Sequence, residues 1–255
     1  MNKFLFKNKD FVSVLMIIIV VAVCLFVAST IIIYRKKLTN LSAELSTTKS
    51  ELAELKKKEE TDPELLRMYS KVYFLNEHYV PSSLTQIESK YLPVGSNPVS
   101  IHSSVYPYLK KLIDSASDAG LTLRVESAYR SFPEQAKLKS SYKIIYGANT
   151  ANSFVADQGY SEHQLGTAID FTANTKAGVS STTFEKTPEY EWLKNNAYKF
   201  GFTISYPKDN TYYRYEPWHW RFVGVELATK IHEENTYFYL LNQKLINTYL
   251  TKIFD

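Results

Sequence analysis

The sequence predicts an α+β protein: a small antiparallel sheet with flanking helices, preceded by one transmembrane helix and a helical stalk. Short runs of alternating apolar and polar residues at 121–126, 168–171 and 202–206 are typical of strands. Segments between and after them repeat apolar residues at helical spacing and carry capping signals. A long uncharged run near the N-terminus precedes both kinds of element.

The length and the charge distribution limit the possible classes of protein. A chain of 255 residues is long enough for one membrane anchor and one domain of about 190 residues. Ten Lys and Arg face six Asp and Glu in the first 60 residues, whereas residues 61–255 hold twenty of each. The folded part is therefore neutral, which argues against a nucleic-acid-binding protein.

Residues 11–33 carry no charge and predict a membrane anchor. At 1.5 Å per residue they reach about 35 Å, enough to cross a hydrocarbon core of about 30 Å. A cleaved signal peptide is the alternative, but its apolar core is usually only about 7–15 residues long. Basic residues flank the span almost equally, so charge does not orient it. We place residues 1–10 in the cytoplasm because the chemistry described below requires an outside location.

The single cysteine, Cys24, lies inside this apolar run. One cysteine excludes a disulfide framework or a thiolate metal site within one chain. A lipid-modified cysteine usually follows a small residue, and Val23 is not small. We therefore expect a cysteine buried in the membrane.

Residues 34–62 predict a helical stalk. Its leucines follow about three heptads, with the polar Thr48 at one d position, which is marginal for a coiled coil. A solvated spacer is favoured, and a coiled coil that forms a homodimer stays open. The stretch 61–63 predicts the end of the stalk and the start of a domain over 63–255. The heptad leucines are Leu38, Leu41, Leu45, Leu52 and Leu55.

The predicted strand over 121–126 leads into a helix whose N-terminus would attract an anion. Ser131 and Glu134 form a capping-box pattern around a proline. Arg130 stands just before this helix and Gln135 in its first turn. A guanidinium and a helix N-terminus both attract negative charge. An arginine in a structural ion pair is an equally open interpretation.

The stretch from Ser161 to Asp170 offers a histidine and a carboxylate seven residues apart. Residues 168–171 predict a strand in which Ala168 and Asp170 share one side. His163 lies in the preceding turn and can curl back over Asp170. Taken alone, a core histidine and a surface aspartate would be the safer interpretation.

A second stretch, residues 216–222, supplies another histidine. We expect a helix over 187–200, a strand over 202–206, and then a strand in which His219 and Arg221 share one face. Pro217 breaks the regularity, so Glu216 can reach the side of His219. An aromatic sheet face with ordinary surface charges is the alternative. The rest of the chain, 225–252, predicts a helix, and His78, His102 and His232 are expected to be structural or surface histidines.

Together the two stretches supply two imidazoles and a carboxylate, with a further carboxylate left as a base. Catalytic zinc sites typically have three protein ligands and an open position. The pattern Ser-x-His-x-x-Gly-x-Ala-x-Asp followed by Glu-x-x-His resembles the zinc D-alanyl-D-alanine carboxypeptidases of the VanY kind and the related L,D-carboxypeptidases, which trim peptidoglycan stem peptides. The resemblance extends over residues 84–250 and includes 127–131, Gln135 and 199–202.

The resemblance implies a zinc site on the sheet and a role for each residue. His163, Asp170 and His219 would bind Zn2+, Glu216 would be the catalytic base and Arg130 would stabilise the reacting carbonyl. Ser161 and Gln135 would line the substrate site.

The implied reaction is removal of the terminal D-alanine from stem peptides by a domain outside the cell membrane. An L,D-carboxypeptidase acting on tetrapeptides is one alternative. A cell-wall binding module without turnover is another, although such a module would have no need of Glu216. A third is an assembly protein whose functional part is the leucine stalk.

Overall fold

The computed structural model describes residues 3–60, 74–152, 155–173, 181–210, 214–249 and 252–254. The chain divides into two compact units, Met1–Lys57 and Lys58–Asp255. Their structures are given in turn.

The first unit is helix α1, Lys3–Glu60. It runs without interruption through the apolar segment and the predicted stalk, and it is long and apolar enough to cross a membrane. A signal sequence would satisfy the same criterion. Leu38, Leu41 and Leu45 are exposed along it. Their exposure in the single chain fits both a solvated spacer and one helix of a coiled coil. The predicted end of the stalk at 61–63 lies outside the described residues.

The second unit contains two small antiparallel sheets, where one was expected. Strand β1, Leu84–Gln86, pairs with β2, Ser100–His102. The larger sheet has the order β3, β4, β6, β5, and each neighbouring pair is antiparallel. Its strands are β3, Leu123–Ser127; β4, Ala168–Ala173; β5, Phe202–Ile204; and β6, His219–Phe222. The two central strands are therefore β4 and β6.

Two longer helices precede the metal motifs. Helix α2, Tyr106–Asp118, buries an apolar face of Leu109, Leu112, Ile113 and Ala116, and its N-cap is Val105. Helix α3, Phe132–Tyr146, has the predicted capping box at Ser131. The short helix α4, Ala148–Asn152, follows.

The C-terminal half alternates short helices with strands β5 and β6. Helix α5, Pro188–Asn196, starts at the predicted N-cap Thr187 and continues as a 3-10 turn to Phe200. The predicted helix over 225–252 is wrong as a single element. Helix α6, Val225–Glu233, stops where Asn235 takes a φ of 48°, a left-handed conformation that no helix continues through. A 3-10 turn, Phe238–Leu240, and helix α7, Gln243–Tyr249, follow.

Two groups of buried residues hold this unit together. One packs α2 and α5 against the larger sheet, with Leu109, Leu193 and Phe171 among its members. The other packs α6 and the C-terminal elements together and includes Leu165. Leu165 ends the 3-10 turn that carries His163, so the metal motif is anchored in a hydrophobic core.

Candidate metal centre

The two sequence motifs meet on the central strands of the larger sheet. Asp170 on β4 lies directly opposite His219 on β6. His219 Nδ1 is 3.0 Å from Asp170 Oδ1, and His163 Nε2 is 3.2 Å from Asp170 Oδ2. The three residues each offer a ligand atom, and these atoms lie within 4.8 Å of one another. Two nitrogens and one oxygen at such spacing can surround one metal ion.

The turn before β4 brings His163 back over Asp170. His163 lies in a 3-10 turn, Glu162–Leu165, that ends at Gly166. Gly166 has a φ of 68°, and a Cβ there would lie 3.1 Å from the backbone nitrogen of His102. The turn is also tied to the connection between β3 and α3, because the Arg130 N–H donates to the His163 carbonyl at 3.1 Å. Because of the positive φ and the close backbone of His102, a glycine is needed at position 166, where the chain reverses into β4.

Each histidine is oriented by a group behind it. His163 Nδ1 donates to the carbonyl of Ala128 at 2.6 Å, which leaves Nε2 facing Asp170. His219 stacks on Tyr206 with ring centroids 4.9 Å apart. Its Nε2 donates to Glu162 Oε2 at 2.8 Å, which leaves Nδ1 facing Asp170. Such partners fix the ring orientation of metal-binding histidines.

The buried charges of the site shift one another's pKa values. Burial opposes the charge of Asp170, but His163 and His219 outweigh it and hold its pKa well below the usual range. Burial lowers the pKa of His163. Burial also disfavours the charged form of His219, but the hydrogen bonds to Asp170 and Glu162 raise its pKa to about 10. Metal binding at Nδ1 of His219 therefore competes with a proton.

Glu216 is the third acidic group beside these side chains, after Asp170 and Glu162. Its backbone N–H donates to the Tyr206 carbonyl at 3.0 Å, and its Oε2 lies 3.9 Å from His219 Nδ1. Burial, opposed by His219 and reinforced by Asp170, raises the pKa of Glu216 to about 8. A carboxylate with such a pKa can accept a proton near neutral pH.

Arg130, Gln135 and Ser161 line the same cavity as these groups. Arg130 donates from Nη1 to Gln135 Oε1 and from Nη2 to Ser127 Oγ, both at 2.8 Å. Arg130 also forms an ion pair, in which its Nη2 lies 3.9 Å from Asp170 Oδ2. The guanidinium is thus held mainly by neutral groups, which leaves its charge available to a ligand. Ser161 is buried at the start of the 3-10 turn.

The cavity has a volume of about 970 Å³. His78, His102 and His232 do not line it; His78 is exposed, and His232 stacks on Tyr198. Sequence reasoning missed Glu162 and Tyr206, which both contact His219. Glu162 stands beside His163 in the motif, and that adjacency was the available clue. The other lining groups include Glu126, Tyr142, Tyr146, Glu185, Arg214 and Trp218.

An α+β domain with a His–Asp–His donor set, a further carboxylate and an arginine in one cavity has the layout of a metal-dependent hydrolase. Imidazole nitrogens and a carboxylate oxygen suit Zn2+. Residues 98–225 match the family model VanY, D-alanyl-D-alanine carboxypeptidase. The chain belongs to this family, which confirms the resemblance drawn from its motifs.

Two of the curated relatives that match this chain are bacterial carboxypeptidases, one of them putative. A putative carboxypeptidase, YodJ, of Bacillus subtilis is 33% identical over 67% of this chain and 64% of its own length. A D-alanyl-D-alanine carboxypeptidase of Enterococcus faecalis is 38% identical over 54% of each chain. The chain thus spans between half and two thirds of the length of these relatives.

Two of the solved structures that share the fold are also about one third identical in sequence. The LdcB LD-carboxypeptidase has a TM-score of 0.60 and 32% identity, with 67% of this chain and 81% of that chain covered. A VanY D,D-pentapeptidase from a VanB-type vancomycin resistance cassette, solved with Zn(II), has a TM-score of 0.54 and 31% identity over 68% and 99%.

Proposed function

We propose that this chain is a membrane-anchored zinc carboxypeptidase that hydrolyses the C-terminal D-alanine from peptidoglycan stem peptides. The observation that carries the proposal is the convergence of His163, Asp170 and His219 beside Glu216. The solved VanY relative that contains Zn(II) supports zinc as the cofactor.

His163 Nε2, His219 Nδ1 and one oxygen of Asp170 would hold the ion. A bound zinc ion lowers the pKa of its water to about 7 and polarises a carbonyl. Binding a metal in these three side chains also explains why two imidazoles and an aspartate are buried so close together.

Glu216 would take a proton from the attacking water and later give it to the leaving amine. This role is supported by the position of its carboxylate, which faces the same side of His219 as Asp170 does. Arg130 would stabilise the negative charge that develops on the carbonyl oxygen. Gln135 and Ser161 would position the substrate, Gln135 through its hold on Arg130.

Two substrate specificities are candidates for this chain. The VanY relatives favour a D,D-carboxypeptidase that acts on pentapeptide stems. The higher TM-score of the LdcB LD-carboxypeptidase favours an L,D-carboxypeptidase that acts on tetrapeptide stems. Both reactions cleave a peptide bond beside a free carboxylate and use the same catalytic groups.

We propose that residues 11–33 cross the cell membrane, with residues 1–10 inside and the domain of 63–255 outside. The length and apolar composition of α1 support the anchor. The exposed leucines at 38, 41, 45 and 52 leave a homodimer through residues 34–62 open. Protease treatment of intact cells should remove an epitope tag at residue 255 and spare one at residue 1, whereas the reverse would invert the topology.

The test of the activity uses the full chain, purified in detergent with zinc. It is incubated separately with a stem pentapeptide ending in D-Ala-D-Ala and a tetrapeptide ending in one D-Ala, and D-alanine release is followed by mass. Release from the pentapeptide alone supports the D,D reaction, and release from the tetrapeptide alone moves the assignment to the L,D reaction.

A chelator should abolish release in this assay, and added zinc should restore it. Release that resists the chelator would remove zinc from the proposal. Zinc binding without release from either peptide would favour a cell-wall binding module instead.

A further inference from the structure

Glu162 is a buried carboxylate that no step of the proposed reaction uses. Its side chain is 5% exposed, although the residue lies at the start of a short 3-10 turn. Its Oε2 accepts hydrogen bonds from His219 Nε2 at 2.8 Å and Ser205 Oγ at 2.7 Å. Its Oε1 accepts from Arg221 Nη1 at 2.7 Å and from the Tyr239 hydroxyl. These four bonds use about all the acceptor capacity of one carboxylate.

The contact to His219 determines which nitrogen of that ring faces the metal centre. A neutral imidazole carries one N–H, and its other nitrogen is the acceptor that can bind a metal. Because Glu162 lies behind Nε2, the N–H belongs there and the lone pair of Nδ1 points toward Asp170. His163 has the reverse arrangement, since its Nδ1 faces the Ala128 carbonyl. The two histidines therefore offer different nitrogens to one point.

The surroundings of Glu162 hold it in place behind His219. Arg221, 1% exposed in its side chain, pairs with Glu162 and stacks over the Phe238 ring at 4.1 Å. A buried ion pair contributes little net stability compared with apolar residues of the same shape. Stability alone therefore does not explain why a charged pair lies here, whereas a fixed acceptor for His219 does.

We propose that Glu162 is a positioning residue of the metal centre: it holds His219 with the proton on Nε2, so that Nδ1 is presented to the ion. This inference rests on the proposed function only through the assignment of His219 as a ligand. Glu162 itself touches neither substrate nor metal, and it acts through the ring of His219.

The first measurement is made on the wild-type full chain in detergent, labelled with 15N-histidine and loaded with zinc. Long-range proton–nitrogen NMR correlations show which ring nitrogen carries the proton, and a His219→Ala variant identifies the signals of residue 219. The expected result is His219 protonated on Nε2 and His163 protonated on Nδ1. A zinc-bound His219 protonated on Nδ1 would overturn the proposal without any variant of Glu162.

The second measurement is zinc affinity by competition with a coloured chelator. Glu162→Ala removes the acceptor behind His219 and should weaken zinc binding about 10–100-fold, the usual cost of losing such an outer partner. Tyr239→Phe is the matched control, since it removes a bond to the other oxygen and leaves the contact to His219. It should bind zinc close to the wild-type affinity.

Two outcomes would overturn the role of Glu162. One is a Glu162→Ala protein with wild-type zinc affinity. The other is an equal loss in Glu162→Ala and Tyr239→Phe, which would point to a general structural effect. If Glu162→Ala does not fold, the wild-type NMR result decides. Because turnover is not measured, a chain that binds zinc but releases no D-alanine would refute the proposed function and leave this inference standing.

Discussion

The carboxylate of Glu216 lies 3.9 Å from Nδ1 of His219, on the same side of the ring as Asp170. It is therefore close enough to act on a water in the site without taking the place of Asp170. Glu216→Gln should keep zinc and lose turnover by about 10²–10⁴-fold, the usual contribution of general base catalysis. Metal content and kcat measured on one preparation check this. Full activity would reject the role of base, and loss of zinc would make Glu216 a ligand.

Substitution of Asp170, unlike that of Glu216, should weaken zinc binding itself. Asp170→Ala takes away the carboxylate that lies between His163 and His219. Zinc affinity should fall by more than about 100-fold, beyond the range typical of an outer partner. Glu126→Ala is the control, because Glu126 is a carboxylate of the same cavity outside the metal cluster. Chelator competition compares the two variants, and similar affinities would contradict the ligand assignment.

Arg130 should affect the rate and leave the metal in place. Its guanidinium is held by Gln135 and Ser127, beside the proposed ligands. Arg130→Ala should lower kcat by about 10²–10³-fold, the usual cost of losing one stabiliser of an oxyanion. Arg124→Ala is the control, because Arg124 lies on β3, the strand that leads to Arg130, and does not line the cavity. An unchanged kcat with a raised KM would make Arg130 a substrate-binding group only.

The capping box of α3 should make stability depend on pH. Glu134 accepts hydrogen bonds from the Ser131 hydroxyl and backbone N–H, which lower its pKa below the ordinary value of 4.5. A lowered folded pKa means that this contribution is present above pH 4.5 and is lost as the pH falls below it. Glu134→Ala should cost about 0.3–1.5 kcal/mol at neutral pH.

Unfolding of the two proteins followed by circular dichroism at several pH values tests this. The difference between wild type and Glu134→Ala should shrink as the pH falls below 4.5. Glu134→Gln is the matched control, since an amide can still accept a hydrogen bond but does not titrate. A difference that stays constant down to low pH would show that the charge of Glu134 has no part in the cap.

The elements that could be predicted are those set by local chemistry. The capping box at Ser131 and the helix that begins after Thr187 each depend on residues within one or two turns. The pairing of His163 with Asp170 depends on a turn and a strand only seven residues apart in sequence. The long helix α1 was predicted from the uncharged run at 11–33 and from the heptad spacing of leucines among polar residues after it.

The features that could not be predicted depend on distant parts of the chain. Glu162 meets His219 across 57 residues and Tyr239 across 77 residues, and only the assembled sheet and C-terminal turns bring them together. The break after Glu233 was missed because the apolar spacing continues beyond it. The left-handed Asn235 ends the helix there, and a periodic pattern does not reveal a single residue of that kind.

The register between β4 and β6 has a consequence for how this family can vary in length. Successive strand residues point to opposite faces, so inserting or deleting one residue within β4 would turn Asp170 away from His219. No point substitution elsewhere could restore the pair. Length changes between homologues should therefore gather in the connections and be absent from 168–170 and 219–221, the pairing residues of the two strands. The pairing register of β4 and β6 is therefore as necessary to the site as the identity of its residues.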